Sequence, residues 1–437
     1  MSQRKNFIEE LKWRGMLHEA MPGTEDLLNS EMVTGYIGFD PTADSLGIGN
    51  MVQIMTLLHF QNCGHKPMAL IGGATGMVGD PSGKSEERNL LDEETLQHNL
   101  SCQKKQLEKF LNFNCGENSA EIVNNYDWFK TISFLDFLRE VGKYITVNYM
   151  KAKDSVKSRI EGDEHGGKEG MSFTEFSYQL VQGYDFYWLW KNKGVKLQMG
   201  GSDQFGNITT GTELIRRKDD GKAWALVTPL IKKADGTKFG KTESGNIWLD
   251  AKRTSPYSFY QFWLNASDSD VKTYIRIFSL KTKEEIEALE TEETANPGQR
   301  VLQKALAEEV TVRVHSQADF ETARTITELL FKSKKEEIKE LPAKDLEFIY
   351  SGLTDLRFEI NKSEIASGVG VLDLLAVKTK IFKSNGEARK MIQAGAVSIN
   401  KEKVTSDKFS FGSEQLLNDS FFIAQKGKKD YFIVKVV

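Results

Sequence analysis

Apolar and polar positions along the chain fall into two regimes. In the first two hundred residues, short apolar runs alternate with stretches of helical spacing. Met32–Phe39 (MVTGYIGF) predicts a strand, followed by the loop DPTADSLGIGN. Met51–Cys63 carries Met51, Ile54, Met55 and Leu58 at helical spacing and closes on Gly64. Pro67–Ile71 predicts a second strand, running into GGATGMVGDPSGKS. Asp92–Leu111 predicts a helix, with Glu93 and Glu94 in its first turn and Leu96, Leu100, Leu107 and Leu111 on one face. Val195–Met199 predicts a further strand, ending in GGSDQFGN. Strand, glycine loop and helix in repetition predict a parallel α/β sheet with ligands bound beyond the carboxyl ends of its strands.

From Ser255 to about Leu353 the pattern becomes helical, with helices predicted over Tyr257–Leu264, Ser269–Phe278, Lys283–Leu289, Arg300–Val314 and Ala318–Leu330. Leu353–Ser367 reads as a connector. The last 70 or so residues predict two helices (Val371–Ala376, Asn385–Ala394) and then short strands (Val397–Asn400, Ser420–Ala424, Tyr431–Val436).

Composition narrows the class. With 39% hydrophobic and 27% charged residues in 437, the chain fits neither a disordered nor a membrane protein, and its length predicts two to three domains. Met68–Gly79, an uncharged apolar-leaning run, is too short to span a bilayer and contains four glycines. Met1–Leu17 is too charged for a secretion signal and too acidic for a transit peptide. Three scattered cysteines (Cys63, Cys102, Cys115) and six scattered histidines make neither a disulfide framework nor a metal site, so no protein-ligated metal is expected. The expectation is a soluble protein of a reducing, cytoplasmic compartment. The net charge of −4 hides an asymmetry: Ala366–Val437 holds twelve Lys and Arg against seven Asp and Glu, +5, which leaves −9 on the rest. An acidic body with a basic appendage suits an enzyme carrying a polyanion-binding module; a solvated basic face is the alternative.

Several loops carry candidate chemistry. GDPSGKS looks like a phosphate cradle but is not one: Gly79 and Gly83 enclose three residues where the motif needs four, and Pro81 removes an N–H. Gly47 and Gly49 precede a predicted helix whose N-terminus offers unpaired N–H groups to phosphate. KADGTKFGKTESG places Lys238 and Lys241 in a glycine-containing loop, and GGSDQ puts Asp203 at a strand end, where a ribose could bind. In YQLVQGYD, Tyr178, Gln182 and Asp185 recur at i, i+4 and i+7 on one helical face, which suits a polar ligand or a solvated surface.

The ordered set YIGFDPTADSL, GGATGMVGDPSGK, NNYDW, SFTEFSYQLVQGYDF, GGSDQ-GNIT and KADGTKFGKTESG resembles the bacterial-type tyrosyl-tRNA synthetases over essentially the whole chain. The segment GVGVLDLLAVKTKIFKSNGEARKMIQAGAVSIN resembles their S4-type RNA-binding module. The resemblance implies a class I enzyme that joins L-tyrosine to tRNA(Tyr) through a tyrosyl-adenylate, using ATP with Mg²⁺. The implied organisation is a Rossmann-like catalytic domain over residues 1–250, with a dimer-interface insertion at about 120–190. A helical anticodon-binding domain (251–353), a linker (354–366) and an S4-like domain (367–437) would follow. Tyr36 and Asp185 match the pair that holds the phenolic OH; rejection of phenylalanine follows, since a missing OH leaves buried polar groups unpaired. Asp80, Tyr178 and Gln182 match the α-ammonium positions, with Gln204 at the carboxylate end. Gly38, Asp40, Thr42, Gly201 and Asp203 match positions around the nucleotide. Lys84, Arg88, Lys238, Lys241 and Thr242 match mobile-loop positions that grip pyrophosphate. No nucleophilic side chain is implied, so catalysis rests on positioning and charge stabilisation.

One departure bears on rate. The family's His-x-Gly-His reads Gly47-Ile48-Gly49-Asn50, so both phosphate-binding histidines are absent, although Asn50 keeps a donor, as in the sister tryptophanyl enzymes. An uncompensated donor costs on the order of 3 kcal/mol at the transition state. Phe205 stands where the family has Trp. The expectation is a working enzyme with altered activation kinetics; the alternative is a weakened paralogue that binds RNA. Lys383, Arg389, Lys390 and Lys403 are the candidate tRNA contacts, acting mainly through phosphates. The resemblance also implies a homodimer, with Phe134–Met150 as the candidate interface.

Overall fold

The computed structural model describes residues 4–82, 91–153, 156–157, 171–242 and 245–437. The chain forms two compact units, Met1–Leu249 with Ser267–Leu302, and Asp250–Ala266 with Gln303–Val437. The helices Asp268–Phe278 and Lys283–Ala295 therefore fold with the first unit, although the chain visits the second unit before them. Arg14 secures the first of them, donating to the carbonyls of Arg276, Ser279 and Lys281 at 2.6–2.9 Å. The guanidinium thereby satisfies carbonyls that the helix end leaves unpaired.

The first unit is built on a six-stranded sheet of β1 (Glu19–Ala20), β2 (Thr34–Phe39), β3 (Lys66–Ile71), β4 (Glu121–Asn124), β5 (Leu197–Gly201) and β6 (Trp224–Thr228). The strand order is β1-β6-β5-β2-β3-β4, parallel except for β1 against β6. β2 to β4 are laid down in one direction and the chain then returns to place β5 on the other side of β2, so the order reverses between β2 and β5. In sheets of this type the crevice at that reversal is where ligands bind. The ladder itself opens the crevice. β2 and β3 pair over six residues and β5 and β6 over five, but β2 meets β5 only at Gly35–Leu197 and Tyr36–Gln198. Beyond those pairs the two strands part.

Helices Ile48–Asn62, Glu93–Leu107, Phe173–Lys193 and Phe205–Asp219 pack around this sheet. The 173–193 helix starts at a reciprocal Ser172/Glu175 cap and stops at Gly194, whose φ of 65° a residue with a side chain seldom adopts. The strand Trp224–Thr228 and the helix Phe205–Asp219 carry no expectation from sequence periodicity. In its first turn Phe205 and Ile208 pack into a core cluster while Asn207 reaches Asp80 and Ser82.

The second unit contains helices Pro256–Leu264, Gln317–Lys332 and Ala343–Gly352, and a sheet of five short strands. Its strand order is Glu402–Lys403, Val397–Ile399, Phe421–Lys426, Asp430–Val436 and Arg357–Ile360. The stretch that reads as a connector is thus partly strand: Arg357–Ile360 pairs in parallel with Ile433–Val436. Four residues with one buried side chain give too short a pattern to read, and their partner lies about 75 residues on. The segment expected as a helix at Val371–Ala376 includes a wide π-type turn, Asp373–Lys378, which packs Leu374 and Leu375 beneath the Asn385–Gln393 helix.

Candidate active site

A pocket of about 310 Å³ sits at the β2/β5 parting. Its wall takes Tyr36, Gly38 and Asp40 from β2 and the loop after it, Gly49 and Asn50 from the start of the 48–62 helix, and Asp80 from the glycine-rich loop. Tyr178, Gln182 and Asp185 enter from the 173–193 helix, and Gly201, Asp203 and Gln204 from the end of β5. Thr42 also lines it. The i, i+4, i+7 face therefore points into a cavity and not into solvent.

At the closed end, Asp185 is 1% exposed. Trp128 Nε1 donates to its Oδ1 at 2.9 Å and Asn125 Nδ2 to its Oδ2 at 3.0 Å. Burial pushes the carboxyl up to about 8, against the pull of those two bonds, and the charge of Asp40 adds to the rise. Tyr36 is buried beside it, edge-on to Phe186 at 5.5 Å, and its hydroxyl has no protein partner among the described residues. Burial, then Asp185, raises the Tyr36 phenol above its ordinary value. A buried carboxyl beside an unpaired hydroxyl can pair with a polar group that a ligand brings to this end.

Toward the middle, Asp40 accepts from Tyr178 Oη at 3.0 Å and from Thr75 Oγ1 at 2.7 Å. Tyr178 is thereby tied to Asp40, rather than directly to Asp80. Asp80 accepts from the Ser82 N–H at 2.9 Å, from Gln204 Nε2 at 2.8 Å and from Asn207 Nδ2 at 3.4 Å. Asp40, Tyr178 and Asp80 all line the pocket, a group of oxygens that can face a cation. Asp203, which lines the pocket, has its carboxyl raised first by desolvation; Gln204 and, more weakly, Lys238 oppose the rise.

At the mouth, Asn50 Oδ1 accepts the Gly47 N–H at 3.0 Å, which leaves the Asn50 amide N–H groups for a ligand. Gly47 does not line the pocket. Its backbone bridges to Trp248, and the Ile48 N–H bonds Ile247 O at 3.0 Å. Phe239 is buried against Tyr274 and Phe278, and Gly240 (φ 83°) sits against Ile48, so the KFGK segment is anchored at its centre. Lys238 and Lys241 flank that anchor, both exposed and outside the pocket wall; Thr242 follows in a two-residue strand. Lys84 and Arg88 lie outside the described residues. Among those described, no three His, Cys, Asp or Glu side chains form a metal-ligand group, and no helix is long and apolar enough to cross a membrane.

The structure adds residues to which sequence reading gave no role: Thr75, Asn125, Trp128, Ser82 and Asn207. Asn125 and Trp128 stand within NNYDW, one helical turn apart, but nothing local tells that they reach Asp185, about 60 positions away.

In the second unit Lys383, Lys390 and Lys403 are exposed, while Arg389 Nε pairs with Asp407 at 2.9 Å.

A switch-point pocket of this make-up, on a parallel sheet, defines a class I tRNA synthetase, and residues 28–332 match the model of the class I tRNA synthetases (W and Y). Residues 354–434 match the SYY-like C-terminal domain of tyrosine–tRNA ligase. The chain is 57% identical to a tyrosine–tRNA ligase of Porphyromonas gingivalis over 433 residues, 99% of this chain and 100% of that one. It is 58% identical to one of Cytophaga hutchinsonii over 434 residues, 99% of each. A C-terminally truncated mitochondrial tyrosyl-tRNA synthetase of Aspergillus nidulans superposes with a TM-score of 0.67 at 31% identity, covering 76% of this chain and 95% of that one. The chain belongs to the tyrosine–tRNA ligase family of class I synthetases.

Proposed function

We infer that the chain is a tyrosine–tRNA ligase: it activates L-tyrosine with ATP to tyrosyl-adenylate, releasing pyrophosphate, and passes the tyrosyl group to tRNA(Tyr), releasing AMP. The observation that carries this reading is the closed end of the pocket, where buried Asp185 and the unpaired Tyr36 hydroxyl meet. A substrate without a phenol leaves the buried Tyr36 hydroxyl without a partner, which is how one hydroxyl is turned into a preference.

The following roles belong to this reading. Tyr36 and Asp185 take the phenol; Asp80, Tyr178 and Gln182, with Gln204, take the ammonium and carboxylate end. Gly38, Asp40, Thr42, Gly49, Gly201 and Asp203 surround the nucleotide, and the Asn50 amide donates to its phosphates. Mg²⁺ arrives with ATP. The tyrosine carboxylate attacks the α-phosphorus and pyrophosphate leaves; the protein holds the two reactants in line and stabilises charge on the departing group. Lys238, Lys241 and Thr242, with Lys84 and Arg88, would grip that group once the loop closes over it. Gly47 supplies no side chain, so activation is expected to depend more heavily on the lysines.

Phe134 and Leu135 are 63% and 70% exposed, adjacent apolar side chains that favour a homodimer through Phe134–Met150. Lys383, Arg389, Lys390 and Lys403 would contact tRNA phosphates, and the site of action is the cytoplasm, where tRNA is charged. Tyrosine-dependent exchange of pyrophosphate into ATP, with phenylalanine and tryptophan as controls, tests the reading. Exchange with tyrosine alone is expected. No exchange from a protein that still binds tRNA would favour a weakened, RNA-binding relative instead.

A further inference from the structure

Asp185 and Trp188 stand on the helix Phe173–Lys193, three positions apart and so on one face of it. Trp128 lies against both. Its Nε1 donates to Asp185 Oδ1 at 2.9 Å, and its ring stacks on that of Trp188, with centroids 4.4 Å apart and planes 11° from parallel. The two contacts act together. An indole N–H lies in the plane of its ring, so the plane of Trp128 decides where that donor points. A turn of the ring carries the N–H off the carboxylate, and hydrogen bonds weaken steeply as they bend. Stacking on Trp188 holds the plane and keeps the N–H aimed at Asp185.

The surroundings leave the ring room to turn. Trp128 and Trp188 both line a second cavity, of about 470 Å³, together with Ile71, Leu100 and Val123. A shorter side chain at position 188 would open more space beside Trp128. Asp185 would keep the Asn125 amide, 3.0 Å from Oδ2, but lose the donor that fixes Oδ1. Trp188 itself is half-buried and lies outside the wall of the substrate pocket, so its effect on a ligand there passes through Trp128. We propose that Trp188 is a positioning residue for L-tyrosine, keeping the Asp185 carboxyl aligned for the substrate's phenol by stacking on Trp128. The proposal rests on the ligase reading of the same pocket.

The test is equilibrium binding of L-tyrosine, L-phenylalanine and ATP to the full-length protein, with pyrophosphate exchange run in parallel. Trp188→Leu removes the ring and keeps an apolar side chain. L-Tyrosine is expected to bind about three- to tenfold more weakly, the range for one neutral hydrogen bond. L-Phenylalanine, which brings no hydroxyl to Asp185, and ATP should bind as before. In exchange the loss should fall on KM for tyrosine with kcat unchanged, because the phenol is held alike in ground and transition states. Trp188→Phe, which restores a ring, should recover most of it. In a Trp128→Phe background, where the N–H is already gone, Trp188→Leu should cost tyrosine nothing further. Trp190→Leu removes a ring of the same helix that packs on Tyr187, and should leave tyrosine binding unchanged. Equal losses for all three ligands, an equal loss in Trp190→Leu, full additivity with Trp128→Phe, or no loss at all overturn the proposal. If Trp188→Leu does not fold, Trp188→Gln, suited to a half-exposed helix position, gives the same comparison. An unaltered protein that binds tyrosine without exchanging pyrophosphate removes the ligase reading, while binding still decides Trp188; one that binds no tyrosine overturns both.

Discussion

Asn125 donates from Nδ2 to Asp185 Oδ2 at 3.0 Å, and its own Oδ1 takes the Ala74 N–H at 2.6 Å. Its second amide hydrogen goes to Thr75 Oγ1 at 3.1 Å, and Thr75 donates to Asp40. One fully buried amide therefore joins the phenol end of the pocket to the carboxylate in its middle. Asn125→Ala leaves Asp185 with Trp128 as its remaining donor and the Ala74 N–H without its acceptor. The expected outcome is a rise of about tenfold or more in KM for tyrosine, with stability lower by about 1–3 kcal/mol in urea titration. A variant with unchanged KM would show that Trp128 alone positions the carboxyl.

Asp185 should leave a signature in the pH dependence of stability. Its carboxyl is pushed up to about 8 by burial, from an ordinary value near 3.8. Between those values the folded chain holds a proton that the unfolded chain has released. The contribution of this group to stability therefore falls as pH rises from about 4 to 8, and levels off above that. The full effect is on the order of several kcal/mol. Urea midpoints at pH 5, 6.5 and 8 should decline more steeply for the natural sequence than for Asp185→Asn, which has no proton to lose there. Parallel slopes would mean that solvent reaches the carboxyl.

Tyr36→Phe removes the unpaired hydroxyl and leaves the ring against Phe186. Tyrosine should bind about three- to tenfold more weakly, the range for one neutral hydrogen bond, while phenylalanine is unaffected or improved. The ratio of kcat/KM for the two amino acids in pyrophosphate exchange measures this directly. A ratio that does not move would assign discrimination to Asp185 alone.

What the sequence revealed and what it concealed divide along a physical line. The helical face of Tyr178, Gln182 and Asp185 was legible because helical periodicity is local. So were the glycine loops at the ends of β2 and β5, since the turn chemistry is written in consecutive residues. The groups that set the electrostatics were not: Asn125 and Trp128 reach Asp185 across about 60 positions, and Thr75 reaches Asp40 across 35. The strand Arg357–Ile360 was hidden for a related reason, because it exists through its pairing with Ile433–Val436.

Gly72 is required by the hydrogen bond beside it. A Cβ there would lie 2.2 Å from both Asp40 Oδ1 and Thr75 Oγ1, the two atoms of that bond. Gly72→Ala should therefore displace Asp40, which releases Tyr178 as well. Activation is expected to fall by about tenfold or more through kcat, because the loss is one of alignment. Far-ultraviolet circular dichroism should remain that of the natural protein. Retained exchange activity would show that the loop can move aside.

The basic appendage can be separated from activation by its response to salt. Lys390 and Lys403 are exposed and enter no ion pair among the described residues, whereas Arg389 is held by Asp407. Cations without internal partners are the ones available to phosphate. In the double variant Lys390→Glu with Lys403→Glu, tyrosine-dependent pyrophosphate exchange should be unchanged, since both residues lie outside the pocket. KM for tRNA should rise at low salt. The slope of log affinity against log salt should become shallower by about one for each phosphate that is no longer neutralised, because each neutralised phosphate releases roughly one condensed counterion. Arg389→Glu places a second negative charge beside Asp407, so it weakens tRNA binding by repulsion with less change of slope. A double variant that binds tRNA with its slope unaltered would move the tRNA surface away from this face of the domain.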